Sequence, residues 1–291
     1  MAIRRTEGSF EAGAGRRLFR RSWLPDAAQR AVVLVHGFAE HSGRYEGMGS
    51  WLAERGCAVH AYDHRGHGRS VGPTNYVDSF DDYLDDLGFL LEQVRAEHPG
   101  LPLTLIGHSM GGLVTLAFLR ERRPEIACAV TSGPALVLAA PLGGAKLVLA
   151  RVLRHVAPRL LLDSGLPSNG LSRDPEVQRL YDEDPLVDTR STPALGLEMM
   201  QGIERTAEGG ADVEVPLLML HGGDDPLCSP EGSRRFFETL PAGSAPPSRL
   251  HVYPGLLHEI FNEPEREEIF AEILDWVREQ EGAHPERVRQ A

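Results

Sequence analysis

Two kinds of apolar pattern alternate along the chain. Short runs of buried-type residues recur at 31–37 (AVVLVHG), 57–66 (CAVHAYDHRG), 101–108 (LPLTLIGH), 126–134 (IACAVTSGP), 215–225 (VPLLMLHGGDD) and 248–255 (SRLHVYPG). Between them, stretches near 45–55, 80–97, 110–121, 231–240 and 265–280 are amphipathic. Buried strands that alternate with helices predict an α/β fold, a mostly parallel central sheet flanked by helices on both faces. In such sheets ligands sit beyond the carboxyl ends of the strands. The polar strand ends HGFAEH, DHRGHG, GHS and HGGDD all fall there.

The alternation breaks once, over about eighty residues between a strand ending near Ser132 and one starting near Val215. A connection that long is structured or functional. It contains its own helical patterns, GGAKLVLARVLRHVAP and DPEVQRLYDEDP, which predict an inserted helical cap over 134–205, with the core formed by 1–133 and 206–291. From Ile126 to Leu162 there is no acidic residue, while Lys146, Arg151, Arg154 and Arg159 are present. On a helix from Ala145 to Ala157, Leu149, Val152, Leu153 and Val156 share one face, and Arg151, Arg154 and His155 lean to another. Two readings follow: the apolar face covers a pocket mouth with solvated arginines, or the helix lies on an anionic membrane surface. Either way the cap offers apolar walls suited to an acyl chain.

Composition narrows the picture. With 291 residues and 42% hydrophobic content the chain supports one large domain with an insertion. A net charge of −12 argues against nucleic acid, because a surface without basic excess cannot release phosphate counterions. The N-terminal arginines precede no apolar h-region, and no apolar run reaches bilayer-spanning length. Three widely spaced cysteines, Cys57, Cys128 and Cys228, suit free thiols. The expectation is a cytoplasmic protein, peripheral at a membrane if the cap helix docks there.

Candidate chemistry centres on GHSMG, residues 107–111. A strand that turns directly into a helix needs small neighbours around the turning residue, and Gly107 and Gly111 provide them. Ser109 is thereby lifted to the strand-to-helix corner as a candidate nucleophile. Hydrolytic use of a serine needs a base and a group that orients it. His258, in the loop after the last strand, is the candidate base, and His251 is set aside because it lies within the strand-like run. Asp224 and Asp225 both end a late strand, and spacing alone does not choose between them. Asn262 with Glu265 is expected to cap the final helix. Developing oxyanion charge needs donors, here the backbone N–H of Met110 and that of Phe38 in the turn after Gly37. His64 and His67 lack further ligands at metal spacing and are read as a structural loop, so neither metal nor cofactor is expected. Cys228 is read as a packed small hydrophobe.

Taken together, VLVHGFAEHSGRY, YDHRGHGRS, GHSMGG, LSRDP with DPLV, HGGDDPLC and YPGLLHEIFNEP resemble the monoacylglycerol lipase and lysophospholipase branch of the α/β-hydrolases, from about residue 20 to 280. The resemblance implies a Ser109, Asp225, His258 triad, oxyanion donors at Phe38 and Met110, and glycerol headgroup contacts near Glu40 and Arg44. It implies a small lipid ester as substrate, most directly a monoacylglycerol. Phe38 stands where the best-known members carry small residues and is expected to narrow the headgroup side. The alternatives are a lysophospholipid, a short-chain ester, a thioester or an amide, and, from another class, a noncatalytic binding protein on the same fold.

Overall fold

The computed structural model describes residues 2–13, 15–139, 143–165, 168–241 and 248–283. Eight strands form one sheet: β1 (Ile3–Glu11), β2 (Arg17–Pro25), β3 (Arg30–Val35), β4 (Cys57–Tyr62), β5 (Leu103–His108), β6 (Cys128–Ser132), β9 (Leu217–Gly222) and β10 (Arg249–Tyr253). Two short strands between them, β7 (Leu162–Asp163) and β8 (Arg190–Ser191), pair with each other elsewhere. The sheet order is β1-β2-β4-β3-β5-β6-β9-β10. From β4 to β10 every neighbouring pair is parallel. The six predicted strands all form, each one to five residues shorter than its apolar run.

In β3, β4, β5 and β9 every residue is buried, because helices cover both faces. Successive side chains then feed two cores. Val33, Val35 and Leu105 pack with Leu84 and Leu87 of α2 (Asp81–Glu97) and Leu113 and Leu116 of α3 (Met110–Arg122). Val32, Leu34 and Ile106 pack on the other side with Leu52 of α1 (Glu46–Ala53) and Ile273 and Trp276 of α8 (Arg266–Ala283).

The N-terminal pair was not anticipated. β1 runs antiparallel to β2 from Ile3 opposite Pro25 to Glu11 opposite Arg17, and β2 is antiparallel to β4. β1 is an edge strand, mostly exposed and charged, so it carries no apolar run to read; such charges also discourage edge-to-edge association.

Between β6 and β9 the chain makes a helical excursion: α4 (Gly144–Val156), α5 (Pro175–Glu183) and α6 (Pro193–Thr206). α5 and α6 each begin with proline in the first turn, behind an N-cap: Asp174 accepts from the Glu176 N–H, and Thr192 from the Leu195 N–H. α6 was unanticipated; it buries Leu195, Leu197 and Gly202, and its glycine lets Phe80 approach closely.

α4 occupies the predicted span, but most of its apolar stripe faces solvent rather than covering a pocket mouth. No α4 residue is buried, and Val148, Leu149, Val152 and Val156 are each more than half exposed. Instead Arg154 turns inward to Glu198 on α6 at 2.7 Å and to the carbonyls of Asp78 and Ala194. The buried Glu198 carboxylate draws this one arginine of the polar face inward, beside the half-buried Leu147, Ala150 and Leu153. No helix among the described residues is long and apolar enough to cross a membrane.

A second correction concerns α8. Asn262 closes a 3-10 turn, Ile260–Asn262, and α8 starts only at Arg266. Pro264 forces the preceding Glu263 into extended backbone (φ −72°, ψ 160°), which separates the turn from the helix.

Candidate active site

β5 runs into α3 with one residue between, and that residue is Ser109 at φ 53°, ψ −117°. A non-glycine residue held there is strained by about 1–3 kcal/mol. The corner is fixed by bonds from the Ser109 N–H to the Ser132 carbonyl (2.9 Å) and from the Ala135 N–H to the Ser109 carbonyl (3.1 Å). A Cβ on Gly107 would collide with Thr115 and the Gly111 carbonyl, and one on Gly111 with the carbonyls of Val35 and His36. Both glycines are therefore required by backbone approach, as the motif predicts.

Asp225 and His258 meet. His258 Nδ1 lies 2.7 Å from Asp225 Oδ2. The same oxygen accepts from His221 Nε2 at 3.1 Å, while Oδ1 accepts from the N–H groups of Leu227 (2.8 Å) and Cys228 (2.9 Å). Burial opposes charge on Asp225, but His258, His221 and these backbone donors outweigh it and hold the carboxyl well below its usual range. Burial lowers His258, yet the Asp225 charge and hydrogen bond prevail and raise it. With the Nδ1 proton donated to Asp225, the Nε2 lone pair is left to act as base. Asp224 is exposed, and its N–H is bonded to the Leu256 carbonyl. His251 sits exposed on β10, bonded to Glu272, outside the site.

Among the described residues Ser109 and His258 form no hydrogen bond; the Ser109 hydroxyl lies beside the buried Cys228 thiol. The His108 ring, next to Ser109 in the chain, is 4.7 Å from the His258 ring. Catalytic hydrogen bonds of this kind tighten when substrate arrives.

The turn 36–41 is built from below by three neutral histidines. His36 Nδ1 donates to the Gly37 carbonyl (2.7 Å), and its Nε2 accepts from the His64 N–H (2.8 Å). His64 Nε2 returns a bond to the His36 carbonyl (3.1 Å), and His67 bonds the Arg65 carbonyl. Burial depresses all three, His67 to about 4. From above, the Gly37 N–H donates to Glu40 Oε1, which also accepts from Tyr45. Ala39 takes the left-handed conformation, φ 56°. Neither the Phe38 nor the Met110 N–H donates to any described residue, so both are available to an oxyanion. The Phe38 ring packs among Ala39, Leu171, Tyr181 and Leu227.

Glu40 is buried and Arg44 half-buried, and both are engaged with a partner the sequence did not reveal. Arg44 makes a two-pronged ion pair with Glu259, at 2.6 and 2.8 Å, stacks 4.6 Å from the Tyr181 ring centroid, and lies 3.9 Å from Glu40. Burial raises Glu40, whereas Arg44 outweighs burial and lowers Glu259. With Tyr45, His108 and Asn262 these groups enclose a cavity of about 10 Å³, room for one water.

Three further residues position the site. His221 receives a bond from Ser233 at Nδ1 (2.7 Å), which points its Nε2–H at Asp225. Glu263, fully buried, accepts from the Leu257 N–H (2.8 Å), Ser172 Oγ (3.2 Å) and the Arg173 N–H (3.0 Å). It thereby fastens the His258 loop to the excursion, where the Glu259 N–H also donates to the Leu171 carbonyl (2.7 Å). Glu259 and Glu263 both follow His258 in HEIFNE, and their closeness to the candidate base is the only sequence feature that could have marked them.

Because the Glu259 charge helps to raise His258, Glu259→Gln is expected to move the acid limb of kcat/KM to lower pH. Activity falls as pH drops through the His258 value, since an imidazolium cannot accept the serine proton. An unmoved or alkaline-shifted limb in the pH profile of the variant would contradict the coupling.

The chain is similar to known hydrolases over most of its length. Residues 26–265 match the family described as serine aminopeptidase, S33. The chain is 35% identical to a monoacylglycerol lipase of Mycolicibacterium smegmatis, covering 94% of this chain and 97% of that one. It is 34% identical to the monoglyceride lipase of Homo sapiens, covering 90% and 87%. The crystal structure of a Paleococcus ferrophilus monoacylglycerol lipase superposes with a TM-score of 0.80 at 32% identity, covering 96% of this chain and all of that one.

Proposed function

Since this chain belongs to the α/β-hydrolase family described as serine aminopeptidase, S33, and is a carboxylic ester hydrolase resembling the monoacylglycerol lipases, we propose that it cleaves lipid esters, foremost monoacylglycerols, through Ser109, His258 and Asp225. The observation that carries the reading is the Asp225–His258 hydrogen bond beside a serine held at a strained elbow.

In this mechanism His258 Nε2 takes the Ser109 proton as Oγ attacks the ester carbonyl, and Asp225 keeps Nδ1–H pointed away from the reaction. The amides of Phe38 and Met110 receive the oxyanion; one such donor is worth about 2.7–4 kcal/mol. Proton return from His258 releases the alcohol, and water repeats the attack on the acyl-enzyme. The excursion over 134–205 acts as the cap that walls the acyl chain. Glu40 and Arg44, with Tyr181, lie on the headgroup side, where the Glu259 pair engages Arg44 in orienting the turn. The exposed apolar stripe of α4, with Arg151 and Lys146 near it, suits peripheral contact with an anionic lipid surface where such substrates reside. Three buried free thiols suit a reducing cytoplasm.

The test is hydrolysis of 1-monooleoylglycerol, a lysophospholipid and a short-chain p-nitrophenyl ester by the purified protein. Preference for monooleoylglycerol is expected. Turnover confined to the short ester would remove the lipid assignment while leaving the triad in place.

A further inference from the structure

Away from the site just described, a second set of side chains converges at the junction of β2, β4 and the end of α2. His60, fully buried on β4, points its Nε2 at His98 Nε2, 2.9 Å away, and Glu97 completes the group, with all three ligand atoms within 4.8 Å of one another. We propose that His60, His98 and Glu97 form a binding site for a divalent transition cation, specifically zinc.

Two imidazole nitrogens and one carboxylate, with the outer position left to water, are an ordinary zinc ligand set. At about 2.05 Å from a tetrahedral zinc, two nitrogens stand roughly 3.3 Å apart, so the histidine pair needs to open by only a few tenths of an ångström. His98 and Glu97 are partly exposed at the helix end and leave a path from solvent.

Arg20 is the internal competitor. Its guanidinium bonds Glu97 Oε1 (2.7 Å) and also His60 Nδ1 (2.7 Å). Arginine only donates, so His60 Nδ1 is an acceptor and the neutral ring carries its proton on Nε2, donated to His98. The guanidinium thus supplies the positive charge that Glu97 needs when no metal is bound. On zinc binding the His60 proton moves from Nε2 to Nδ1, where Ser22 Oγ, 2.9 Å away, accepts it. Arg20 releases His60, the Nε2–H···Nε2 bond is replaced by two zinc–nitrogen bonds, and no net proton is lost. The metal ties the end of α2 to the antiparallel flank of the sheet.

The test is titration of the full chain with Co²⁺, whose four-coordinate complexes absorb strongly in the visible. Expected is one saturating equivalent in the unsubstituted protein, bleached by Zn²⁺. The signal is lost in His98→Asn, and Arg20→Met binds about tenfold tighter or more because one charged hydrogen bond is no longer given up. Ester hydrolysis checks folding of both variants, since neither residue belongs to the catalytic machinery. No visible band in either the unsubstituted protein or Arg20→Met overturns the proposal. So does a band that survives His98→Asn, which would place cobalt on other histidines, or an Arg20→Met affinity no tighter than that of the unsubstituted protein.

Discussion

Ser109→Ala is expected to lower kcat for 1-monooleoylglycerol on the order of 10⁶-fold, to the level left by the oxyanion donors and binding alone. No other described hydroxyl has the combination that surrounds Ser109: an elbow backbone, free amides at Phe38 and Met110, and a neighbouring histidine already oriented by a carboxylate. The substitution keeps a Cβ at the same position, so the backbone strain and its fixing bonds to Ser132 and Ala135 are unchanged. Loss of activity with an unaltered melting profile, together with loss of fluorophosphonate labelling, is the expected pair of results. A variant that still turns over would dismiss the nucleophile, and an unsubstituted protein that fails to label would revive a noncatalytic role.

Asp225→Asn is expected to cost about 10⁴ in kcat, by the logic of the serine protease aspartate. The local hydrogen bonds explain why an amide cannot substitute. All four recorded partners of the Asp225 carboxylate are donors: His258 and His221 on one oxygen, the N–H groups of Leu227 and Cys228 on the other. The amide NH₂ of asparagine must face one of these pairs, donor against donor. The relief open to His258 is to move its proton to Nε2, the atom that has to accept from Ser109. Asp224→Asn, by contrast, changes an exposed side chain, and kcat is expected to stay within about twofold. Steady-state rates of the two variants side by side decide the assignment, and a large loss in Asp224→Asn alone would transfer the role of the acid.

Most of the sheet was readable in the chain because strands covered on both faces need uninterrupted apolar runs, and β3, β5 and β9 have them. The elbow was readable for a related reason: Gly107 and Gly111 are dictated by backbone contact, which depends on residue type alone. β1 escaped because an edge strand can be largely polar, β2 because Arg20 and Arg21 interrupt its apolar residues, and the inward turn of Arg154 on α4 because it depends on Glu198, some forty residues away and in another helix. The choice between adjacent aspartates needed the resemblance to relatives, and the geometry then distinguished them by burial. Glu259 and Glu263 illustrate a wider limit. A carboxylate that holds a loop through hydrogen bonds has no periodicity to announce it, and its partners Arg44, Ser172 and Arg173 come from two distant stretches.

The excursion between β6 and β9 is fastened very unequally. Residues 170–173 are bonded to the loop that carries His258, through Gly170, Leu171 and the Glu263 carboxylate. α5 grips the oxyanion turn by His41–Asp184 at 2.9 Å and by Tyr181 under Arg44. α4 has no buried residue; Arg154 pairs with Glu198, and only Leu147, Ala150, Leu153 and Arg154 are half-buried. Were the whole excursion to swing as a door, it would drag the base and the oxyanion turn with it and dismantle the very arrangement substrate needs. On the proposed function, the traffic of acyl chains would then fall to the α4 portion, with the rear half part of the chassis. On that proposal, admission and chemistry would belong to different pieces of one insertion, and changes to the α4 surface are expected to retune which lipids enter without disturbing how they are cut.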